Sequence, residues 1–194
     1  MPILHAPILE QAGFVSGALE PVKNYVYRLD GLTKYYQLSE PLEFNVGDTL
    51  EFGFIGGNFE DSFRSFISST DVNLRISTGS NPQKFDIAST SGAKVNGIAI
   101  INNQTDIPKS GLNTLEFKSF TNYLFKGFGA RVALNGSAIL HLNIAFYNFR
   151  VIRNGEVIHE IPLTNRAQGA TQLPTVGNVS ATIINYTESG WEEV

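Results

Sequence analysis

The feature that most constrains this chain is a hydrophobic period of two that never lengthens into a helical one. In Thr49-Leu50-Glu51-Phe52-Gly53-Phe54 the side chains of Leu50, Phe52 and Phe54 share one face, while Thr49 and Glu51 take the other. That is the pattern of a strand covered on one side. Leu115-Glu116-Phe117-Lys118 repeats it, and no segment carries a long amphipathic helical pattern. Turn signals punctuate the runs. Asn154-Gly155 sits between Arg150-Val151-Ile152-Arg153 and Glu156-Val157-Ile158-His159, and a type I′ hairpin needs positive φ at both central residues, which Asn and Gly tolerate. Such a hairpin sets Arg153 opposite Glu156 as a modest cross-strand pair. Asp30-Gly31 and Asn135-Gly136 are two further turn candidates.

Strands are predicted near 22–29, 33–38, 49–56, 63–68, 72–78, 84–88, 94–102, 112–121, 123–134, 138–142, 144–153, 157–162 and 179–185, with a long loop over 163–178. Many short strands with frequent Gly and Asn turns predict an all-β fold, a two-sheet antiparallel β-sandwich of jelly-roll type. A length of 194 residues suits one such domain, and a chain of this size buries about 70% of its unfolded surface. The core therefore needs no staples. Cys is absent, which excludes disulfide scaffolds, thiolate zinc sites and Cys nucleophiles.

Charged residues make up 16% of the chain and the net charge is −4, against a usual charged share of about a quarter. This balance argues against disorder and against capture of nucleic acid by a basic stripe. No apolar run approaches a membrane span, so no membrane insertion is expected. The start Met1-Pro2-Ile3-Leu4-His5-Ala6-Pro7 lacks the charged and apolar regions of a signal peptide. With charged residues after Trp191, the expectation is a whole gene product made in a cytoplasm. Without a secretory signal, the sequons at Asn103, Asn135, Asn178 and Asn185 read as accidents of an Asn-rich sequence.

Residues 1–21 carry apolar groups, among them Ile3, Leu4, Ile8, Leu9, Phe14 and Val15, broken by Pro and Gly without a sustained period. They read as an extended anchoring arm, to be buried on the chain's own sandwich (residues 22–194) or on a neighbouring subunit.

Motifs of catalysis are missing: there is no nucleophile elbow, phosphate-cradling loop, zincin helix or EF-hand. His159-Glu160 begins like a zincin signature, but Leu163 stands four residues after His159. His5, His141 and His159 are scattered, so no metal and no cofactor is expected. A glycosidase needs two facing carboxylates. Glu43, Glu51, Glu60, Asp61, Asp71, Asp86, Glu116 and Glu156 supply carboxylates without a motif, and alternation puts Glu51 and Glu116 on a solvated sheet face. Glu60-Asp61 reads as a polar turn, with a divalent cation site as the alternative. Of the aromatics, Tyr35, Tyr36, Tyr123 and Trp191 lie at strand ends or outside the clearest alternation. Each is a candidate either for packing or, if exposed, for stacking on a sugar face. Asn81, Asn102, Asn103 and Gln104, in predicted loops, are candidate partners for sugar hydroxyls.

Two stretches carry a resemblance. The run from Asn143 through Phe146-Tyr147-Asn148-Phe149, Asn154-Gly155 and on to Ile161-Pro162-Leu163 resembles the closing hairpin of laminin-G-like, concanavalin A-like modules of bacteriophage tail-fibre and virion proteins. Ala181-Thr182-Ile183-Ile184-Asn185-Tyr186 through Gly190-Trp191-Glu192-Glu193 is similar to the final strand and tail of the same group, and Tyr35–Phe44 with Gly47–Phe52 to its opening strands. The resemblance implies a non-enzymatic virion structural protein: a small fibre, tail-tip or capsid decoration subunit, often a homotrimer, with other virion proteins as partners. A carbohydrate-binding, lectin-like module recognising host glycans is the alternative, and an endo-glycosidase or depolymerase a third. The resemblance supplies no catalytic residue and no metal ligand.

Overall fold

A computed structural model describes residues 24–57, 59, 63–68, 75–88, 90–120 and 122–194. The arm residues Ile3, Leu4, Ile8, Leu9, Phe14 and Val15 lie outside the described residues, as do Glu60, Asp61 and Asp71. The strands are β1 (Tyr25–Arg28), β2 (Tyr35–Phe44), β3 (Thr49–Ile55), β4 (Ser65–Ser68), β5 (Arg75–Thr78), β6 (Phe85–Ala88), β7 (Thr90–Val95), β8 (Ile98–Ala99) and β9 (Leu112–Ser119). They continue with β10 (Tyr123–Phe128), β11 (Arg131–Val132), β12 (Ala138–Ile139), β13 (Ala145–Arg153), β14 (Glu156–Ile161), β15 (Thr171–Gln172), β16 (Ala181–Ile184) and β17 (Trp191–Glu193). The described residues contain no α-helix, only the short 3-10 turns Arg166–Gln168 and Glu188–Gly190.

The fold is all-β, and hydrogen bonding divides the strands into three sheets where two are expected. The largest has 8 strands in the order β17-β1-β13-β3-β9-β7-β8, with β14 also on β13; a 4-stranded sheet runs β10-β2-β16-β15; a 5-stranded sheet runs β12-β11-β4-β5-β6. Pairing is antiparallel except between β11 and β4. All three bury apolar faces in one cluster that includes Tyr27, Phe52, Phe54, Phe117 and Phe146 from the first, Tyr36, Phe44, Phe125, Phe128 and Ile183 from the second, and Phe66, Ile76 and Phe85 from the third. Burying an Ile or Phe side chain of this kind is worth about 1.5–3 kcal/mol.

The strand boundaries show where local signals were overruled. Strand β2 runs through Ser39-Glu40-Pro41 to Phe44, past the predicted end at 38. Pro41 is tolerated because the ladder with β10 resumes only at Leu42 and that with β16 stops at Leu38. Its missing N–H therefore breaks no ladder bond. The predicted strand 94–102 is in fact a hairpin, β7 to β8, turning at Asn96 (φ 52) and Gly97 (φ 78). Short β15 forms within the predicted long loop, and Trp191–Glu193 pairs with β1.

The Asn154-Gly155 turn is as expected, with φ values of 53 and 85 and Arg153 registered opposite Glu156. The Arg153 side chain goes elsewhere. Its Nε and Nη2 donate to Asp48 at 3.0 and 2.9 Å, because Asp48 is only 3% exposed and a buried carboxylate needs a paired cation more than exposed Glu156 does.

Asp30-Gly31 turns the chain by side-chain capping. Asp30 Oδ1 accepts the backbone N–H groups of Leu32, Thr33 and Lys34 at 2.9 Å each, and Oδ2 accepts the Thr33 hydroxyl. Burial alone would raise this carboxyl, but the Thr33, Leu32 and Lys34 amides outweigh it and bring the pKa from 3.8 to about 2. A depressed folded pKa stabilises above the unfolded value and is lost as pH falls through the folded one. Asp30→Ala is therefore expected to lower unfolding free energy by about 1–2 kcal/mol at neutral pH. In acid unfolding, the gap between wild type and variant should close as pH falls from 3.8 through about 2.

Candidate functional site

The outer face of the 8-stranded sheet carries one charged row. Lys94 registers with Glu116, Glu116 with Glu51, Glu51 with Arg150 and Arg150 with Glu160, across β7, β9, β3, β13 and β14. Like charges opposite one another destabilise a sheet, and Glu51 and Glu116 are opposite. Flanking cations offset this. Lys94 lies 3.4 Å from Glu116, and Arg150 reaches Glu51 at 3.3 Å and Glu160 at 2.6 Å. The Thr175 hydroxyl and Arg150 hold the Glu160 carboxyl below its ordinary range. A glycosidase acid needs the opposite shift.

Beside this row the sheet forks. Strand β13 keeps β3 along one edge, while its other edge is shared: β1 pairs at Ala145 and Phe146, and β14 pairs from Phe149 onward. At the junction Asn148 adopts φ 50 and gives its N–H to the Pro162 carbonyl at 2.9 Å. Asn tolerates this left-handed conformation, and the resulting bulge turns Phe146 and Phe149 both into the core. At this fork lies a cleft of about 260 Å³, lined by Asn24, Val26, Leu112, Tyr147, Asn148, Thr164 and Val194.

Tyr147 is fixed in this cleft from two directions. Its hydroxyl donates to the Asn113 carbonyl at 3.0 Å. Its ring lies on Gly53, the residue opposite in register. A Cβ placed on Gly53 would fall 2.0, 2.2 and 2.3 Å from Cε2, Cζ and Cδ2. Such near-equal distances to three adjacent ring atoms put that point over the ring face, not beyond its edge. Only a residue without a Cβ lets the ring lie down there.

The four aromatic glycan candidates are corrected by their burial. Tyr36 is fully buried, stacked on Phe128 at 4.8 Å. Its hydroxyl has no hydrogen-bond partner, and burial, with Tyr27 beside it, pushes its pKa up. Tyr35 is buried and donates to the Gly136 carbonyl at 2.8 Å. Tyr123 is buried and stacked with Phe125. Trp191, 9% exposed, packs edge-on to Tyr27 and donates through Nε1 to the Tyr186 hydroxyl. A sugar-stacking ring needs an open face, and these rings have spent theirs on the core.

The polar candidates stay at the surface. The loop of Asn81 is joined to that of Asn102, Asn103 and Gln104 by Phe85 N to Thr105 O at 3.1 Å and Ile107 N to Gln83 O at 2.9 Å. Asn81 Oδ1 accepts the Gln83 N–H within its own turn, and Asn102 Oδ1 accepts the Ile87 N–H of β6, so both amide oxygens are engaged by backbone. Asn103 and Gln104 remain exposed. His141 lies against the Tyr35 ring at 5.7 Å, and His159 stands on β14. Among the described residues no three His, Cys, Asp or Glu side chains come together to hold a metal ion, and no helix is long and apolar enough to cross a membrane.

The cleft residues were not singled out from sequence. Their signal was present in Phe146-Tyr147-Asn148-Phe149, where two inward Phe residues three apart break the period of two, with an Asn between them to take the bulge. No family model, no curated protein and no solved structure matches this chain.

Proposed function

We propose that the chain is a non-enzymatic structural subunit of a bacteriophage virion. In this reading it is a small fibre, tail-tip or capsid decoration protein, assembled in the host cytoplasm. The arm of residues 1–21 anchors it to other virion proteins, and a concanavalin A/laminin-G-like sandwich of jelly-roll type faces outward, where it serves attachment to the host surface. The sequence resemblance supports the phage setting.

The observation that carries the assembly role is an apolar pair at one end of the sheets. Phe120 and Val46 are each 63% exposed. They sit on neighbouring turns tied by Asn122 Oδ1 accepting the Val46 N–H at 3.0 Å and Ser119 O accepting the Gly47 N–H. Adjacent exposed apolar side chains on a weakly charged chain suit a surface that meets another subunit. The expected outcome is a homo-oligomer, a trimer by preference, in native mass spectrometry. Val46→Ser with Phe120→Ser should weaken association by more than about tenfold, since both apolar side chains lose their burial, and leave the melting temperature of the monomer unchanged. A wild-type chain that is monomeric and absent from purified particles would sink the proposal.

A further inference from the structure

The geometry points to a saccharide subsite in the fork cleft: we infer that Tyr147, Asn148, Thr164 and Asn24 hold one neutral pyranose ring. The inference rests on the host-attachment part of the proposed function and gives it a place and a ligand class. Five observations lead to it. The Tyr147 ring has one face on Gly53 and borders the cleft, and an aromatic face that cannot tip away is a platform for the C–H face of a sugar. Asn24, Asn148 and Thr164 line the same space, and within the described structure none of their side chains makes a hydrogen bond. Amides and hydroxyls both donate and accept, which matches a ring bearing hydroxyls that do the same.

An apolar occupant would cover these three polar groups and leave them unpaired, a costly arrangement. No cationic side chain lines the cleft, so it offers no partner for the charge of a uronic acid or a phosphorylated sugar. Its volume of about 260 Å³ falls just below the range of pockets for drug-sized ligands, about 300–1,000 Å³, and so suits a single ring. Asn148 owes its position to the bulge, with its N–H already spent on Pro162, so its side chain is the part left for a ligand.

The test uses the full chain labelled with 15N and titrated with the methyl glycosides of glucose, galactose and mannose. A single ring with few contacts is expected to bind at about millimolar strength. At least one glycoside should give saturable shifts at the side-chain amides of Asn24 and Asn148 and at the backbone of Thr164. Asn148→Gly removes the amide while keeping a residue at ease with φ 50, and Thr164→Val removes the hydroxyl at constant shape. Each should weaken binding about tenfold, the equivalent of one lost hydrogen bond, with the remaining spectrum unmoved. Three outcomes would overturn the inference: no saturable shift with any glycoside, binding that both variants leave intact, or shifts confined to the loops around Asn81 and Gln104. Native mass on the same sample reads assembly separately, so failure of the subsite and failure of the virion reading are distinguishable.

Discussion

Phe146→Ala is expected to lower the unfolding free energy by about 3–5 kcal/mol, the range for deleting a fully buried aromatic ring. The reason is its position at the meeting point of three sheets. Its ring lies 5.3 Å from Phe52 of its own sheet, 5.3 Å from Phe128 and 6.2 Å from Tyr36 of the second, and 6.5 Å from Phe66 of the third. All but the Phe52 contact at 68° are within ten degrees of perpendicular, the edge-to-face geometry that adds attraction beyond area. No single neighbour can collapse into the space left, because the four are held by three different sheets. Against a total stability of about 5–15 kcal/mol for an ordinary domain, the loss should be plain in urea unfolding. Phe120→Ala, at a ring 63% exposed, should stay within about 0.5 kcal/mol. Equal effects at the two positions would refute the shared core.

Gly53→Ala carries the second large effect, and it links stability to the cleft. The new methyl would overlap the Tyr147 ring at 2.0 Å, so the ring must leave the sheet and surrender its hydrogen bond to Asn113. Overpacking of this kind costs about 1–3 kcal/mol. In a Tyr147→Ala background the clash is gone, and Ala should be neutral or slightly favourable, since Gly loses more backbone freedom on folding. The double-mutant cycle should therefore show a coupling of about 1–3 kcal/mol. Additive effects would mean that the ring does not lie on Gly53. By removing the platform, Gly53→Ala should also abolish saccharide shifts in the cleft.

Much of the architecture was legible residue by residue. Alternation in β3 and β9 placed Leu50, Phe52, Phe54, Leu115 and Phe117 on the buried side, and all are buried. Asn154-Gly155 named its turn type. The misreadings came where a local signal had two meanings. Ser39-Glu40-Pro41 is a turn in isolation, but inside β2 the proline falls in a gap between two ladders. Asn96-Gly97 is as good a hairpin signal as Asn154-Gly155, but it lies inside a longer apolar run that reads as one strand. Tyr35, Tyr36, Tyr123 and Trp191 stand where alternation is unclear, and such positions do not reveal whether another sheet covers them.

Local sequence is enough to specify the all-β character, the apolar side of β3 and β9, and the place of one tight hairpin turn. These follow from a period of two and from residues that accept positive φ, both properties of a few neighbouring positions. The division of the strands into three sheets around Phe146, the pairing of Arg153 with Asp48 and not Glu156, and the seat of Tyr147 on Gly53 at the rim of a cleft emerge only when the strands are assembled. Each of those pairs residues far apart in the chain: Asp48 and Arg153 are 105 positions apart. Contacts at that separation depend on which strands lie side by side, and the pattern of one strand carries no record of its neighbour.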